Sequence, residues 1–473
     1  MTRPLLLTDI LFSSAKRTPR RVAISYRDTQ VTFGEMAERV THLSNVLADR
    51  GVRRGDRVGW WGGVHVNASA LYYASALLGA VFVPVNPGFT GPEANAILDL
   101  ADPHLVVTDE QHEGDVVIES LLGVRSSGAT AVEPALETDP DVIFFTSGTT
   151  GAPKGVVLTH RSNWLRTACG MRIARVAMSM FPQFHWAGWA FLHAAWYQGG
   201  HYVLEDGGDT VAILSAIQQH RVESFYAIPA VWRRILEGPY QEFDTTSLRQ
   251  ADTGTSSTPP DLLADIAAAF SGTTTQVAYG ATEAGAICIL EPEDVLRKPG
   301  AVGLPVPGTF TRLVDGELWV RGPQAFAGYY RSPELTAEAV VDGWYRTGDV
   351  VERDAEGYFS VVGRIKEQIR TGGEFVAPPE VDVVIQRHPA VADAAVAGVP
   401  DADWGEVVTA FVVLRSGQEL DLGDLRRHCE TSLAGYKVPR ALHIVGAIPR
   451  TRSTGQVERR ALVSLAVAEA DGR

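Results

Sequence analysis

Short apolar runs alternate with stretches of helical spacing along most of this chain. Val22–Tyr26, Val81–Val85, Leu105–Val107 and Val142–Phe145 read as buried strands. Between them, Leu43, Val46 and Leu47 recur at helical spacing, and Thr32 stands three residues before Glu35, the spacing of a capping box. Residues 10–17, 67–79 and 91–99 read as further helices. Val58–Pro92 contains no Asp, Glu, Lys or Arg. Its interruption by Gly62, Gly63, His65, Asn67 and Pro84 argues for strand, helix, strand rather than a membrane span. Repeated strand–helix–strand units predict an α/β fold with a mostly parallel sheet covered on both faces. Residues 110–140 are polar and irregular. A helix is expected after Ser162. Further strands are expected at Ser224–Tyr226, Gln276–Gly280 and Glu317–Arg321. In the last hundred residues, 394–401 and 410–414 read as strands, and Leu422, Leu425, Cys429 and Leu433 share a helical face.

At 473 residues the chain exceeds what one core usually supports, so at least two domains are expected. A net charge of −14 with no basic stripe argues against nucleic acid as a partner. Cys169, Cys288 and Cys429 are distant in sequence and show no metal spacing, which suits a reducing, cytoplasmic compartment. The apolar run near the N-terminus is too short for a signal peptide.

The densest chemical signal is Phe145-Thr-Ser-Gly-Thr-Thr-Gly-Ala-Pro-Lys-Gly155, between two apolar runs. Gly148, Gly151 and Gly155 let backbone N–H groups approach an anion. Thr146, Ser147, Thr149 and Thr150 add hydroxyls, and Lys154 adds charge. The spacing is not that of the common P-loop, which needs Gly-Lys-Ser/Thr. A second cluster, Phe181–Trp189, crowds aromatics around His185.

This loop resembles the phosphate-binding signature of the adenylate-forming superfamily: acyl-CoA synthetases, nonribosomal peptide adenylation domains and luciferases. Tyr279-Gly280-Ala281-Thr282-Glu283, Tyr345-Arg-Thr-Gly-Asp349, Gly363-Arg-Ile-Lys-Glu367 and Gly372-Gly-Glu374 resemble its later motifs, in the same order. The resemblance implies a large N-terminal domain, 1–365, of stacked sheets with helices and a β subdomain. It also implies a small mobile α+β lid, 366–473, hinged at Lys366. It implies ATP, Mg²⁺ and coenzyme A as reactants. Glu283 would hold Mg²⁺, Thr282 would meet the α-phosphate, and Tyr279 would lie beside adenine. Gly254, Thr255 and Ser256 stand where the family has its adenine-side turn. Asp349 and Arg364 would reach the ribose. His185, Trp186, Gly188, Trp189 and Gly280 become candidates for the acid pocket.

One position departs from the family pattern. Relatives carry a lysine after Pro-x-Thr-x-x-Gly. Here Pro449-Arg-Thr-Arg-Ser-Thr-Gly455 is one residue longer and Gln456 takes that place. Glutamine donates a hydrogen bond but has no charge. Arg450, Arg452 or Arg459 could stand in for the lysine. Alternatively the first half-reaction is slow, or the substrate is unusual. The expected activity is AMP-forming ligation of an organic acid, aromatic acids among them, to coenzyme A. Amide formation, ATP-dependent nitrite activation on an aromatic amine, and a non-catalytic nucleotide-binding role remain as alternatives. A homodimer is compatible with the sequence.

Overall fold

A computed structural model of the chain describes residues 4–126, 133–147, 153–206, 209–256, 258–401, 403–451 and 455–471. Gly148, Thr149, Thr150, Gly151 and Arg452, singled out above, lie outside the described residues.

Two large sheets dominate. In the nine-stranded sheet, Val22–Tyr26, His201–Leu204, Val176–Ser179, Ser224–Tyr226, Gln250–Gly254 and Val277–Ala281 run parallel as successive neighbours. Antiparallel strands close both edges, with Thr29–Thr32 at one and Gly285–Leu290 and Leu304–Pro305 at the other. The seven-stranded sheet has a parallel centre of Val81–Val85, Arg57–Trp61 and Leu105–Thr108. The parallel expectation thus holds for most of both sheets, with antiparallel pairing at both edges of the larger sheet and at the hairpin edge of the smaller. Pro140–Ser147 and Pro153–Thr159 pair antiparallel.

Two helices fill the space between these sheets. Val66–Leu77 and Trp186–Tyr197 are apolar on nearly every side, as helices buried on all faces must be. Tyr72 stacks on Phe82 at 4.8 Å between ring centroids, and Trp189 meets Tyr72 edge-on at 4.8 Å. Each fully buried aromatic side chain contributes roughly 2–3 kcal/mol.

Local signals set several boundaries. Thr32 accepts from Glu35 N and the Glu35 carboxylate returns to Thr32 N, the capping box the spacing predicts. Thr159 and Ser162 form a second reciprocal cap, so the following helix begins at His160 rather than after Ser162. The polar stretch 110–140 contains two short elements, Val116–Val117 and Ile118–Gly123, pinned by buried Ile118 and Leu121.

A third sheet joins Phe310–Val314, Glu317–Arg321, Trp344–Arg353 and Phe359–Arg364. The main hydrophobic cluster ends at Phe359, and the next, built around Val391–Asp401 and Gly405–Leu414, begins at Ile369. The linking segment is a single short turn, Ile365–Glu367. Arg459 ties the last helix to this turn, reaching Glu367 at 3.2 Å and Asp382 at 2.7 Å. No helix among the described residues is long and apolar enough to cross a membrane.

Buried histidine in the central layer makes stability depend on pH. His193 is 2% exposed, surrounded by Tyr72, Tyr73 and Trp189, and burial presses its pKa down to about 3. The folded form therefore binds its proton later than the unfolded chain does. The stabilisation is complete above the unfolded value of about 6.5 and is lost as pH falls towards 3. Thermal melting between pH 7 and 4.5 should show a shallower loss for His193→Phe than for wild type. Equal slopes would place the titration elsewhere.

Candidate active site

The C-terminal ends of the parallel strands, with Thr146 and Lys154 of the hairpin strands, converge on one cavity of about 1160 Å³. It has a polar end and an apolar arm, and the small C-terminal unit covers it.

The polar end is built on Val277–Ala281 and the residues that follow. Gly254 and Gly280 permit the close packing here. A Cβ on Gly254, whose φ is +147°, would lie 2.1 Å from the Ala278 carbonyl oxygen, and one on Gly280 would lie 2.3 Å from that of Gly285. Tyr279 donates its hydroxyl to Asp349 at 2.5 Å, and Arg364 donates to the other carboxylate oxygen at 3.1 Å. Asp349 is 5% exposed. Burial pushes its pKa up, against the opposing pull of Arg364 and the Tyr279 hydroxyl.

Glu283 follows three residues after Gly280. Its Oε1 accepts from the Tyr329 hydroxyl at 2.8 Å, and Lys154 lies over the Tyr329 ring at 5.2 Å. Its other oxygen accepts no hydrogen bond from the described residues. Among those residues no cluster of three His, Cys, Asp or Glu side chains could hold a metal alone. A single carboxylate beside a phosphate site fits Mg²⁺, which usually keeps one or two protein carboxylates and takes its remaining ligands from phosphates and water.

Beneath this loop lies a residue whose sequence context carried no signal. Arg166, on the helix His160–Cys169, is 7% exposed. It donates to the carbonyls of Gln324 at 2.7 Å, Thr282 at 2.8 Å and Glu283 at 2.9 Å. Tyr329 was likewise missed. Both stand outside the recognisable motifs, and each acts through a long-range contact.

The structure brings Thr146, Lys154, Thr255, Tyr279, Gly280, Ala281, Thr282, Glu283, Asp349, Arg364, Lys366 and Gln456 to this cavity. The backbone of Ser147 pairs with Pro153. Ser256 does not line the cavity, although its neighbour Thr255 does.

The apolar arm runs beside Trp186–Tyr197. Trp186, Ala187, Ala190, Phe191 and Ala194 present one stripe of the helix to it. Phe181, Phe191 and Tyr226 form an aromatic wall, with Phe181 and Phe191 parallel at 6.2 Å and Phe191 and Tyr226 at 4.9 Å. His185 caps the helix, its Nδ1 accepting from Ala187 N, which leaves the ring proton on Nε2. Burial holds its pKa at about 4, so it is neutral at physiological pH.

Two of the expected pocket residues are elsewhere. Trp189 is 1% exposed, donates its indole N–H to the Gln183 carbonyl, and packs into the core between the sheets. Gly188 faces the preceding chain, where a Cβ would lie 2.6 Å from the Pro182 carbonyl oxygen. Its small size lets the helix start tightly against residues 181–182. The helix is apolar all round, so sequence alone could not tell its pocket side from its core side.

Gln456 reaches the cavity from the C-terminal unit. Its loop fits closely: Gly455 has a φ of +64°, and a Cβ there would lie 2.3 Å from Ile228 Cδ1. Arg459 is committed to Asp382, Glu367 and the Val396 carbonyl, so it cannot replace a cation in the cavity without breaking those bonds. Arg450 lines the cavity but is held by Asp393 at 2.8 Å and by the Gly455 carbonyl at 3.1 Å.

Comparison with known proteins agrees with this geometry. Residues 11–330 match the family model described as AMP-binding enzyme, and residues 380–454 match the AMP-binding enzyme C-terminal domain. A feruloyl-CoA synthase of Amycolatopsis sp is 34% identical, covering 94% of this chain and 97% of that one. The o-succinylbenzoate CoA synthetase of Bacillus subtilis, solved with its acyl-adenylate intermediate, superposes with a TM-score of 0.87 at 27% identity, over 98% of each chain. An anthranilate CoA ligase solved with anthranoyl-AMP gives 0.91 at 25% identity over 99% of each chain. The chain belongs to the AMP-binding enzyme family. Within it, this is an enzyme of the AMP-forming acid–CoA ligase class, which uses ATP, Mg²⁺ and coenzyme A.

If Tyr329 orients Glu283, Tyr329→Phe should raise the KM for Mg·ATP about tenfold, the effect of one hydrogen bond to a charged group. Steady-state kinetics at varied Mg²⁺ would check this. An unchanged KM would remove Tyr329 from the nucleotide site.

Proposed function

We propose that this enzyme activates a monocarboxylic acid with an uncharged, apolar tail, aryl acids foremost, and transfers the acyl group to coenzyme A. The observation that carries this is the aromatic-walled arm opening directly onto Gly280, Thr282 and Glu283. Beyond Arg166 at its root, the arm is walled by Phe181, Phe191, Tyr226 and a neutral His185, which offer a second carboxylate at the far end no charge, and desolvating one costs several kcal/mol. The relatives named above for ferulate, succinylbenzoate and anthranilate support an aryl substrate.

In this reading Asp349 and Arg364 hold the ribose and Tyr279 lies against adenine. Thr282 meets the α-phosphate, and Thr146, Ser147 and Lys154 hold the outer phosphates with Gly148, Thr149, Thr150 and Gly151. Glu283 would hold Mg²⁺, which when bound offsets phosphate charge. A carboxylate oxygen of the acid attacks the α-phosphorus. The bond to the bridging oxygen breaks, and pyrophosphate leaves with the electron pair. His185, neutral and fixed as a helix cap, shapes the mouth of the arm. Rotation about Lys366 then withdraws Gln456 and admits the thiol of coenzyme A. Its sulfur adds to the acyl carbon and AMP departs.

ATP–pyrophosphate exchange with a panel of aryl, alkyl and dicarboxylic acids tests the reading. Aryl monocarboxylates should lead. Acids with a second carboxylate at the far end should be slower by about a hundredfold, corresponding to roughly 3 kcal/mol. Equal rates for both classes would refute it.

A further inference from the structure

Arg166 is a buried cation at the junction of the two halves of the cavity. Its guanidinium sits under the Thr282–Glu283 loop on one side and 5.0 Å from the Trp186 ring, at the root of the apolar arm, on the other. Three of its five N–H donors go to backbone carbonyls. The other two have no partner among the described residues, and no carboxylate there forms an ion pair with it. A charge so buried is costly unless something of opposite sign meets it. Burial lowers its pKa only to about 9, so the charge remains at neutral pH. The nearest carboxylate influence is Glu283, whose side chain is engaged by Tyr329.

Among the described residues, the cations offered from the lid do not fill this need. Gln456 is uncharged, Arg459 is bound in its own ion pairs, and Arg450 is held by Asp393. We propose that Arg166 is the anion-binding group of the acid site: its two remaining N–H groups receive the carboxylate of the incoming acid and then face the charge gathering on the α-phosphate. The inference rests on the proposed carboxylate activation. It adds no atoms to that step: the carboxylate oxygen still forms the new P–O bond while pyrophosphate takes the electrons of the broken one. Arg166 supplies fixed charge where the described lid arginines, Arg450 and Arg459, are held by other partners, which explains how an uncharged Gln456 is tolerated.

Equilibrium binding of benzoate and of its neutral counterpart benzamide, measured by calorimetry on the full-length protein, tests this without turnover. Wild type should prefer benzoate, and Arg166→Met should lose that preference. Arg166→Lys, which keeps the charge but gives up the three-carbonyl fork, should retain it and serves if the Met variant does not fold. In exchange assays, Arg166→Met should raise the acid KM and slow exchange by about a hundredfold, a larger effect than the rise in the KM for Mg·ATP that the loosened Thr282–Glu283 loop also causes. Adding Gln456→Lys to Arg166→Met should restore part of the rate. An unchanged benzoate preference in Arg166→Met would overturn the proposal. So would a fall in Mg·ATP affinity with the acid KM untouched, which would make Arg166 a brace for the loop. If no acid supports exchange, the proposed activity fails, and the benzoate comparison still decides the role of Arg166.

Discussion

The geometry of the site depends on one fully buried guanidinium. Arg166 binds the carbonyls of Thr282, Glu283 and Gln324 and so fastens a turn of the nucleotide region to the chain that follows the Glu317–Arg321 strand. Without that fork, Glu283 would hang on a short segment after an edge-proximal strand. With it, the Glu283 carboxylate meets Tyr329, and the same strand end places Tyr279 on Asp349. The interaction is strong because water is excluded, and for the same reason it commits the protein to keeping an anion or dipole beside the charge.

Everything around it supports a division of labour. The parallel sheet centres bring strand ends together at one edge, where ligand sites of α/β folds form. The two apolar helices between the sheets give the arm a rigid wall, because Trp189, Tyr72 and Phe82 lock them in place. The C-terminal unit has its own core and meets the rest across a short turn at Ile365–Glu367, so it can deliver Gln456 without disturbing the arm.

Much of this was legible from residues alone. The capping pair Thr32 and Glu35 and the strand at Val81–Val85 announce themselves through local spacing. Glu283 falls just after the strand that ends at Ala281, as its motif predicts, while Asp349 stands mid-strand in Trp344–Arg353. What sequence hid is longer in range. Trp186 and Trp189 look equivalent in a helix apolar on all sides, and only packing assigns one to the arm and the other to the core. Arg166 reads as an ordinary helical arginine because its partners lie more than a hundred residues away. Arg459, a plausible stand-in for a lid cation by position, is taken up by Asp382 and Glu367, which no local pattern reveals.

The central claim, that the acid is activated by attack of its own carboxylate on the α-phosphate, is tested most directly by following oxygen. An aryl acid labelled with heavy oxygen in its carboxylate is turned over with ATP and coenzyme A, and the nucleotide product is weighed by mass spectrometry. The account predicts AMP carrying one labelled oxygen and unlabelled pyrophosphate. Unlabelled AMP, or ADP in its place, would contradict it.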